Sequence, residues 1–199
     1  MNRMTGATLA RTQPAMQGLV PRRIPDACAR DARRHVWTGQ LDVGRGDTVL
    51  TALLGSCVGI GMIWHARGVC ALAHCLLPDG VADGGAHSAR YVSSAVPALL
   101  AALGVRREQY DELQIVIAGG ARMLRLPGGD AAVGRRNIIA AHAHLAARGL
   151  QVAFEDVGGF QGRRFSIDCA GMRHRIERVA EAEPARPRMG AGALSGVAA

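Results

Sequence analysis

The sequence has no lysine, so all 24 of its basic residues are arginines, set against 16 acidic residues for a formal net charge of +8. A charge of this size can attract nucleic acid. Residues 1–34, however, hold seven arginines and two aspartates, a net +5 that leaves only +3 for the rest of the chain. No recognisable nucleic-acid-binding motif accompanies that remainder. We therefore expect no nucleic-acid partner.

Long hydrophobic runs are also missing. The uncharged run at residues 49–64 is shorter than a typical membrane-spanning helix and contains glycine and serine. The first 34 residues lack the continuous apolar stretch of a secretion signal. The five cysteines are odd in number and irregularly spaced, which argues against a disulfide framework. We therefore expect a cytoplasmic protein with no membrane insertion.

Aromatic residues make up only 4% of the chain, against 49% hydrophobic residues, so the core must be built mainly from alanine, valine, leucine and isoleucine. A length of 199 residues suits one domain with tails. Residues 1–34 and 179–199 show no hydrophobic periodicity and carry scattered proline, which is typical of disordered segments. We therefore predict a folded domain over residues 35–178 between two disordered tails.

Within that domain, short apolar strand patterns alternate with two longer helical patterns. Outside the central hairpin described below, the predicted strands cover residues 36–43, 113–118, 150–156, 163–168 and 173–178. The predicted helices cover residues 89–103, with Ser88 as N-cap and a kink or break at Pro97, and residues 133–148, ending at Gly149. This order indicates an α+β fold with mixed, largely antiparallel sheets, and not a doubly wound sheet.

The candidate chemistry lies in residues 51–78, where two apolar runs joined by a turn at residues 65–68 predict a buried antiparallel hairpin. Cys57 opens the first strand and His74 lies near the end of the second. Because antiparallel partners keep a constant sum of residue numbers, His74 should lie across from residues 58–60, close to Cys57 but not opposite it.

A bend at Gly55 and Ser56 would bring Cys57 within reach of His74. A thiol beside an imidazole is the minimum for cysteine nucleophilic catalysis, because the thiolate is the reactive form and the imidazole helps to generate it. A third group usually fixes the imidazole, and Thr51 is a candidate through its hydroxyl. The competing interpretation is structural: a cysteine in an apolar run is commonly a small core residue, and His74 would then be a hydrogen-bonded strand histidine.

Two other arrangements use nearby residues. His65, in the turn, and His87, in a glycine-rich loop, are alternative partners for a thiol. Cys70, His74 and Cys75 are close enough in sequence to suggest zinc, but no C-x2-C pair is present, and in a strand Cys75 points away from the face that carries Cys70. We therefore predict no metal site.

Several short motifs carry a family resemblance. Residues 54–58 read Leu-Gly-Ser-Cys-Val, Thr51 precedes the cysteine by six residues, and His74 follows it by seventeen and is itself followed by x-x-Leu-Pro. Further motifs lie at residues 118–123, 134–137, 156–159 and 162–164. In this order they resemble the CheD family of chemoreceptor glutamine deamidases, over roughly residues 36–178.

The resemblance implies roles for three residues: Cys57 as nucleophile, His74 as general base and acid, and Thr51 as the group that orients His74. It implies a protein-glutamine glutaminase that hydrolyses glutamine to glutamate through a thioester on Cys57, with no metal or organic cofactor. The implied fold is a layered α/β/β sandwich, akin to the deamidating domain of cytotoxic necrotizing factor toxins.

The implied substrate is the helical cytoplasmic bundle of methyl-accepting chemotaxis receptors, and the reaction would support chemotaxis adaptation. Some CheD proteins also bind a CheC-type phosphatase, which is a second implied partner. Two other interpretations remain: a non-catalytic adaptor that binds receptors or such a phosphatase, and a cysteine hydrolase acting on a small amide. Intact Thr51, Cys57 and His74 argue against the adaptor, since an adaptor needs no catalytic triad.

Overall fold

The computed structural model describes residues 32–80, 88–122 and 131–179, and within these ranges the chain forms nine β-strands and two α-helices. In chain order they are β1 Arg33–His35, β2 Leu41–Arg45, β3 Val49–Leu54, β4 Val58–Trp64, β5 Val69–Cys75, α1 Val92–Leu103, β6 Leu113–Gly119, α2 Ala131–Ala146, β7 Val152–Val157, β8 Gly162–Asp168 and β9 Arg173–Val179. Short 3-10 helices lie at His65–Arg67 and Arg107–Glu112.

The strands form two sheets. β1, β3, β8 and β9 lie side by side in that order, and β2, β5, β4, β6 and β7 form the second sheet. β1 pairs with β3, and β6 with β7, in parallel. The other neighbouring strands run antiparallel. The described elements confirm the expected α+β class with mixed, largely antiparallel sheets.

β4 and β5 form the predicted hairpin, and every residue of both strands is buried. Glycines make close packing possible here, since a Cβ on Gly59 would lie 2.8 Å from Leu54 and one on Gly61 would lie 2.7 Å from Phe165. Glycine in a strand interior often marks a place where another element approaches closely. In this fold the approaching side chains come from β3 and β8 of the four-stranded sheet.

The buried apolar residues fall into two clusters. One combines residues of the five-stranded sheet with residues of both helices. α1 contributes to it through buried residues spaced three or four apart, as expected of a helix with one apolar face: Val92, Ala95, Val96, Leu99, Leu100 and Leu103. The second cluster combines residues of both sheets, including Leu72 and Phe165. The five-stranded sheet therefore has buried residues in both clusters.

Of the strand predicted over residues 36–43, only residues 41–43 are in a strand, and residues 36–40 are not. The chain instead makes β1 in one sheet, turns at Gly39, whose φ is +82°, and then makes β2 in the other sheet. The predicted start of the first helix is also wrong, because Tyr91 and not Ser88 occupies the N-cap position, and α1 is one helix that contains Pro97. Its predicted end is confirmed, since Gly104 forms the left-handed C-cap.

Most of the two predicted tails lies outside the described residues, and disorder at residues 1–31 and 180–199 stays a prediction. Arg33 and Arg34, which the sequence suggested were part of the first tail, belong to β1. Val179, the first residue of the other predicted tail, ends β9. His87 also lies outside the described residues.

Candidate active site

Cys57 lies where the chain passes from one sheet to the other. β3 ends at Leu54 in the four-stranded sheet and β4 begins at Val58 in the five-stranded sheet, so residues 55–57 form the crossing. This is the bend that the sequence required before Cys57. The Cys57 residue is 9% exposed, which is more than the other described cysteines.

The turn that carries Cys57 is fixed by hydrogen bonds to three successive carbonyl groups. The Gly55 carbonyl accepts from the Ala121 N–H at 2.8 Å, and the Cys57 carbonyl accepts from the Gly120 N–H at 2.7 Å. Between them, the Ser56 carbonyl accepts from Nδ2 of Asn137 at 3.1 Å. The peptide planes around the thiol are therefore held from outside the turn.

A glycine is required beside this turn. Gly119 has a φ of +100°, and a Cβ at this position would overlap the Cys57 carbonyl oxygen. Only glycine meets both conditions without strain, because it has no side chain and accepts positive φ. The motif at residues 118–123 therefore has a physical role here: it brings backbone N–H donors against the turn that carries the thiol.

His74 lies on β5 directly across from Gly59, within the range that the sequence predicted. The residue is only 4% exposed. Its Nδ1 lies 3.1 Å from the Val36 carbonyl oxygen, and its Nε2 lies 3.4 Å from the Thr38 hydroxyl. A carbonyl can only accept, so Nδ1 must carry the proton and the neutral ring presents an unprotonated Nε2.

Burial lowers the pKa of His74 below its ordinary value, and the positive charge of His35 lowers it further, against an opposing effect of the hydrogen bond to Val36. Burial acts in this direction because it disfavours the charged imidazolium. The ring is therefore neutral near pH 7 and able to take a proton at Nε2, as a general base requires.

The hydroxyl of Thr51 does not reach His74. Thr51 Oγ1 lies 3.3 Å from Ser166 Oγ, on the face of β3 opposite the buried Leu50 and Ala52. It lines a groove of about 720 Å³ between residues of β1, β3, β8 and β9. The backbone of Thr51 does approach the site, since its carbonyl accepts a 2.8 Å hydrogen bond from the N–H of Val36.

Two further thiols near His74 are poor nucleophiles. A hydrogen bond to Cys169 and burial raise the pKa of Cys70, and burial raises the pKa of Cys75. Both thiols are therefore protonated near neutral pH. Cys70 belongs to the cluster between the sheets, with its sulfur 3.8 Å from that of Met172, whereas Cys75 belongs to the cluster on the helix side. This places them on opposite faces of β5, as the sequence indicated.

Three of the other described histidines have partners away from Cys57. His65 Nε2 lies 3.0 Å from Gln114 Oε1, beyond the far end of β4. On α2, His142 pairs with Glu155 at 2.9 Å and His144 with Asp79 at 2.7 Å. The placement of His74 near the Cys57 turn follows from the strand register, which puts it across from Gly59, two residues after Cys57.

Motif residues 156–159 and 162–164 meet at Arg163. Its side chain is 3% exposed, and its guanidinium donates to the carbonyls of Gly158 and Gln161 and to the Asp156 carboxylate. The same loop is tied to the region beside Cys57, because the Gly158 N–H donates to the Gly119 carbonyl at 2.8 Å. Arg163 therefore shapes the loop that flanks the site.

Three residues that contact the site were not predicted individually. Val36 and Thr38 contact the imidazole from the segment after β1, and no local pattern indicates that this segment returns to His74. Asn137 lies in the motif at residues 134–137, but the motif alone does not show what its amide contacts. Each of these contacts depends on long-range pairing, which short-range sequence patterns do not report.

Two comparisons with known proteins identify the family of this chain. Residues 76–178 match the family model described as CheD chemotactic sensory transduction. A protein of Ruegeria sp. named probable chemoreceptor glutamine deamidase CheD 2 is 34% identical over 175 residues, which cover 78% of this chain and 93% of that protein. The chain belongs to the CheD family.

Other CheD relatives agree. One from Bdellovibrio bacteriovorus, named probable chemoreceptor glutamine deamidase CheD, is 37% identical over 67% of this chain and 86% of its own length. One from Geobacter sulfurreducens, named probable chemoreceptor glutamine deamidase CheD 2, is 38% identical over 65% of this chain and 81% of its own length. The helices found in residues 32–80, 88–122 and 131–179 include none with the length and hydropathy of a membrane span.

Proposed function

We propose that this CheD family member is a protein-glutamine glutaminase, which hydrolyses selected glutamine side chains of chemoreceptors to glutamate. The observation that carries the proposal is the neutral, buried His74, whose Nδ1 is held by the Val36 carbonyl beside the turn that bears Cys57. The names of the relatives point to the same reaction and substrate class.

The proposed reaction begins when Cys57 loses its proton to Nε2 of His74 and its sulfur attacks the carboxamide carbon of the glutamine. The carbonyl oxygen becomes an oxyanion, for which the backbone N–H groups around Ser56 and Cys57 are the proposed donors. The fixed carbonyls of residues 55–57 support this assignment, because they hold the peptide planes of the turn in place.

Collapse of that intermediate breaks the carbon–nitrogen bond. His74 returns its proton to the departing nitrogen, which leaves as ammonia, and a thioester joins the substrate to Cys57. A water then gives a proton to His74 and attacks the thioester carbon, which releases glutamate and restores the thiol. No step of this sequence needs a cofactor.

We assign the orientation of His74 to the backbone of Val36, supported in turn by Thr51. The Thr51 carbonyl accepts from the Val36 N–H, and the carbonyl of Val36 accepts from Nδ1 of His74. Thr51 therefore orients the imidazole through the backbone of Val36 and not through its hydroxyl. The Thr38 hydroxyl lies 3.4 Å from Nε2 and donates a hydrogen bond to it before the reaction. This hydrogen bond is replaced when Nε2 takes the proton of the Cys57 thiol.

The remaining proposals concern the layered fold, the substrate segments and a second partner. The two buried clusters support the layered α/β/β sandwich, with the helices on one side of the five-stranded sheet and the four-stranded sheet on the other. The proposed substrate segments are the cytoplasmic helices of chemoreceptors, which places the reaction in the cytoplasm. A CheC-type phosphatase is the second proposed partner.

The test is intact mass of a purified receptor cytoplasmic fragment after incubation with wild-type protein or with Cys57→Ala. We expect the wild type to add about 1 Da for each modified glutamine, because hydrolysis replaces NH₂ by OH, and the variant to add none. A fragment that binds the wild type but keeps its mass would instead support an adaptor. A fragment that is neither bound nor changed would exclude chemoreceptors as substrates.

A further inference from the structure

Asn137 joins the two segments that carry the nucleophile and the base. Its side chain is completely buried, and Nδ2 donates to the Ser56 carbonyl at 3.1 Å and to the Leu76 carbonyl at 2.9 Å. Ser56 directly precedes Cys57, and Leu76 follows His74 by two residues. One amide group on α2 therefore ties the turn before β4 to the end of β5.

The orientation of this amide is determined by its partners. Carbonyl oxygens only accept, so the nitrogen of Asn137 must face Ser56 and Leu76, and a flipped amide would place oxygen against oxygen. The Oδ1 atom is then left buried without a hydrogen-bond partner. An unpaired buried acceptor lowers the stability of the folded protein. The Asn137 amide therefore leaves its own oxygen unpaired, while its nitrogen donates hydrogen bonds to the Ser56 and Leu76 carbonyls.

Backbone packing places Asn137 where it can do this. A Cβ on Gly134 would lie 2.6 Å from the Gly120 carbonyl oxygen, so the first part of α2 contacts the loop after β6 without a side chain between them. Gly120 is the residue whose N–H donates to Cys57. Asn137 follows Gly134 by three residues, which puts both on the same face of the helix.

We propose that Asn137 is a positioning residue for the reaction: its two donor contacts hold the Cys57 turn and the His74 strand at the separation that proton transfer requires. It contacts neither substrate nor reacting atoms and acts through the backbone of its two partners. The inference rests on the proposed function, since it assigns Cys57 and His74 as the reacting pair. Loss of the two donors would loosen this separation while leaving substrate contacts in place.

The test compares Asn137→Ala and Asn137→Asp with Leu145→Ala. The first removes both donors without adding bulk, the second keeps the shape but loses the amide nitrogen, and Leu145 is a buried residue of the same helix, about two turns further on. Three quantities are measured: Tm, kcat and KM on a receptor fragment, and the pH dependence of iodoacetamide alkylation at Cys57, located by mass spectrometry.

We expect both Asn137 variants to lose about 10- to 100-fold in kcat with little change in KM, because misplaced groups slow the chemical step. Alkylation of Cys57 should require higher pH than in the wild type, because the base is less well placed to take its proton. Leu145→Ala should lower Tm but keep the wild-type alkylation profile and most of kcat.

An Asn137 variant that matches Leu145→Ala in kcat and alkylation profile would overturn the proposal and leave Asn137 an ordinary structural residue. The alkylation measurement needs no receptor, so it separates the two proposals. A wild type that modifies no glutamine, together with an altered alkylation profile in the variants, would reject glutamine deamidation while supporting the positioning role.

Discussion

At the scale of single residues, the surroundings of His74 predict how stability and activity depend on pH. Burial lowers its pKa below the ordinary value of 6.5, which the unfolded chain is expected to show. Folding therefore favours the neutral ring. The stability that this ring contributes is complete above pH 6.5 and is lost as pH falls through the lower pKa of the folded protein.

We predict that the acid limb of kcat/KM has its midpoint below pH 6.5, because the free enzyme keeps His74 neutral to lower pH than an exposed histidine. His35→Gln should move that midpoint upward, since it removes a positive charge that lowers the pKa of His74. The check is a pH profile of deamidation for both proteins. A wild-type midpoint above 6.5 would contradict the prediction.

Substitution of Thr51 distinguishes two ways in which this residue could orient His74: through its hydroxyl or through its backbone carbonyl. If its hydroxyl held the imidazole, Thr51→Val should reduce kcat by about 10²- to 10⁴-fold, as loss of an orienting group does in triad enzymes. In this structure the carbonyl of Thr51, which valine also has, supports Val36. We therefore expect kcat to fall by less than about tenfold, since the base itself stays in place. A loss in the larger range would assign the role to the hydroxyl.

At the scale of elements, the loop after β6 decides how the Cys57 turn is held. Gly119 and Gly46 both have positive φ, but a Cβ on Gly119 would overlap the Cys57 carbonyl oxygen, whereas nothing lies within 4 Å of one on Gly46. The two glycines therefore form a matched pair. Alanine at position 46 introduces backbone strain alone, whereas alanine at position 119 introduces the same strain and also displaces the Cys57 turn.

We predict that Gly46→Ala lowers the free energy of unfolding by about 1–2 kcal/mol with wild-type kcat. Gly119→Ala should lower it by about 3 kcal/mol or more, because strain and overlap add, and should reduce kcat by about tenfold or more. Urea unfolding and steady-state kinetics measure both effects. Equal kcat in the two variants would show that the turn tolerates displacement.

Much of the element order could be predicted from the sequence. The β4–β5 hairpin, with His74 across from Gly59, follows from two apolar runs and one turn. The sheet that each strand joins could not be predicted, because β3 and β4 are similar apolar runs separated by only three residues. The face on which Thr51 lies depends on its pairing with Ser166, more than a hundred residues away, and so does its distance from His74.

At the scale of the whole molecule, Phe165 is one of the buried residues through which the two sheets contact each other. Phe165 is fully buried on β8. A Cβ added to Gly59 would lie 3.0 Å from its ring, and a Cβ added to Gly61 would lie 2.7 Å from it. The hairpin that carries His74 therefore packs directly against this ring. Because packed interiors respond to changes of a single methyl group, the fit can be tested by adding volume on one side and removing it on the other.

We predict that Gly61→Ala lowers the free energy of unfolding by about 1–3 kcal/mol, since the added methyl overlaps the ring of Phe165. Phe165→Leu alone should cost about 1–2 kcal/mol, because it leaves the space underfilled. The double variant should be more stable than the sum of the two losses implies, by a coupling of about 0.5–3 kcal/mol, because the shorter side chain makes room for the methyl.

The matched control for this cycle combines Gly61→Ala with Leu145→Val. Leu145 belongs to the buried cluster on the helix side of the five-stranded sheet, whereas the neighbours of Gly61 belong to the cluster between the sheets. These two losses should add within about 0.5 kcal/mol. If the coupling energy with Leu145→Val equalled the one with Phe165→Leu, it would report a general loosening of the fold and not the contact of Gly61 with Phe165.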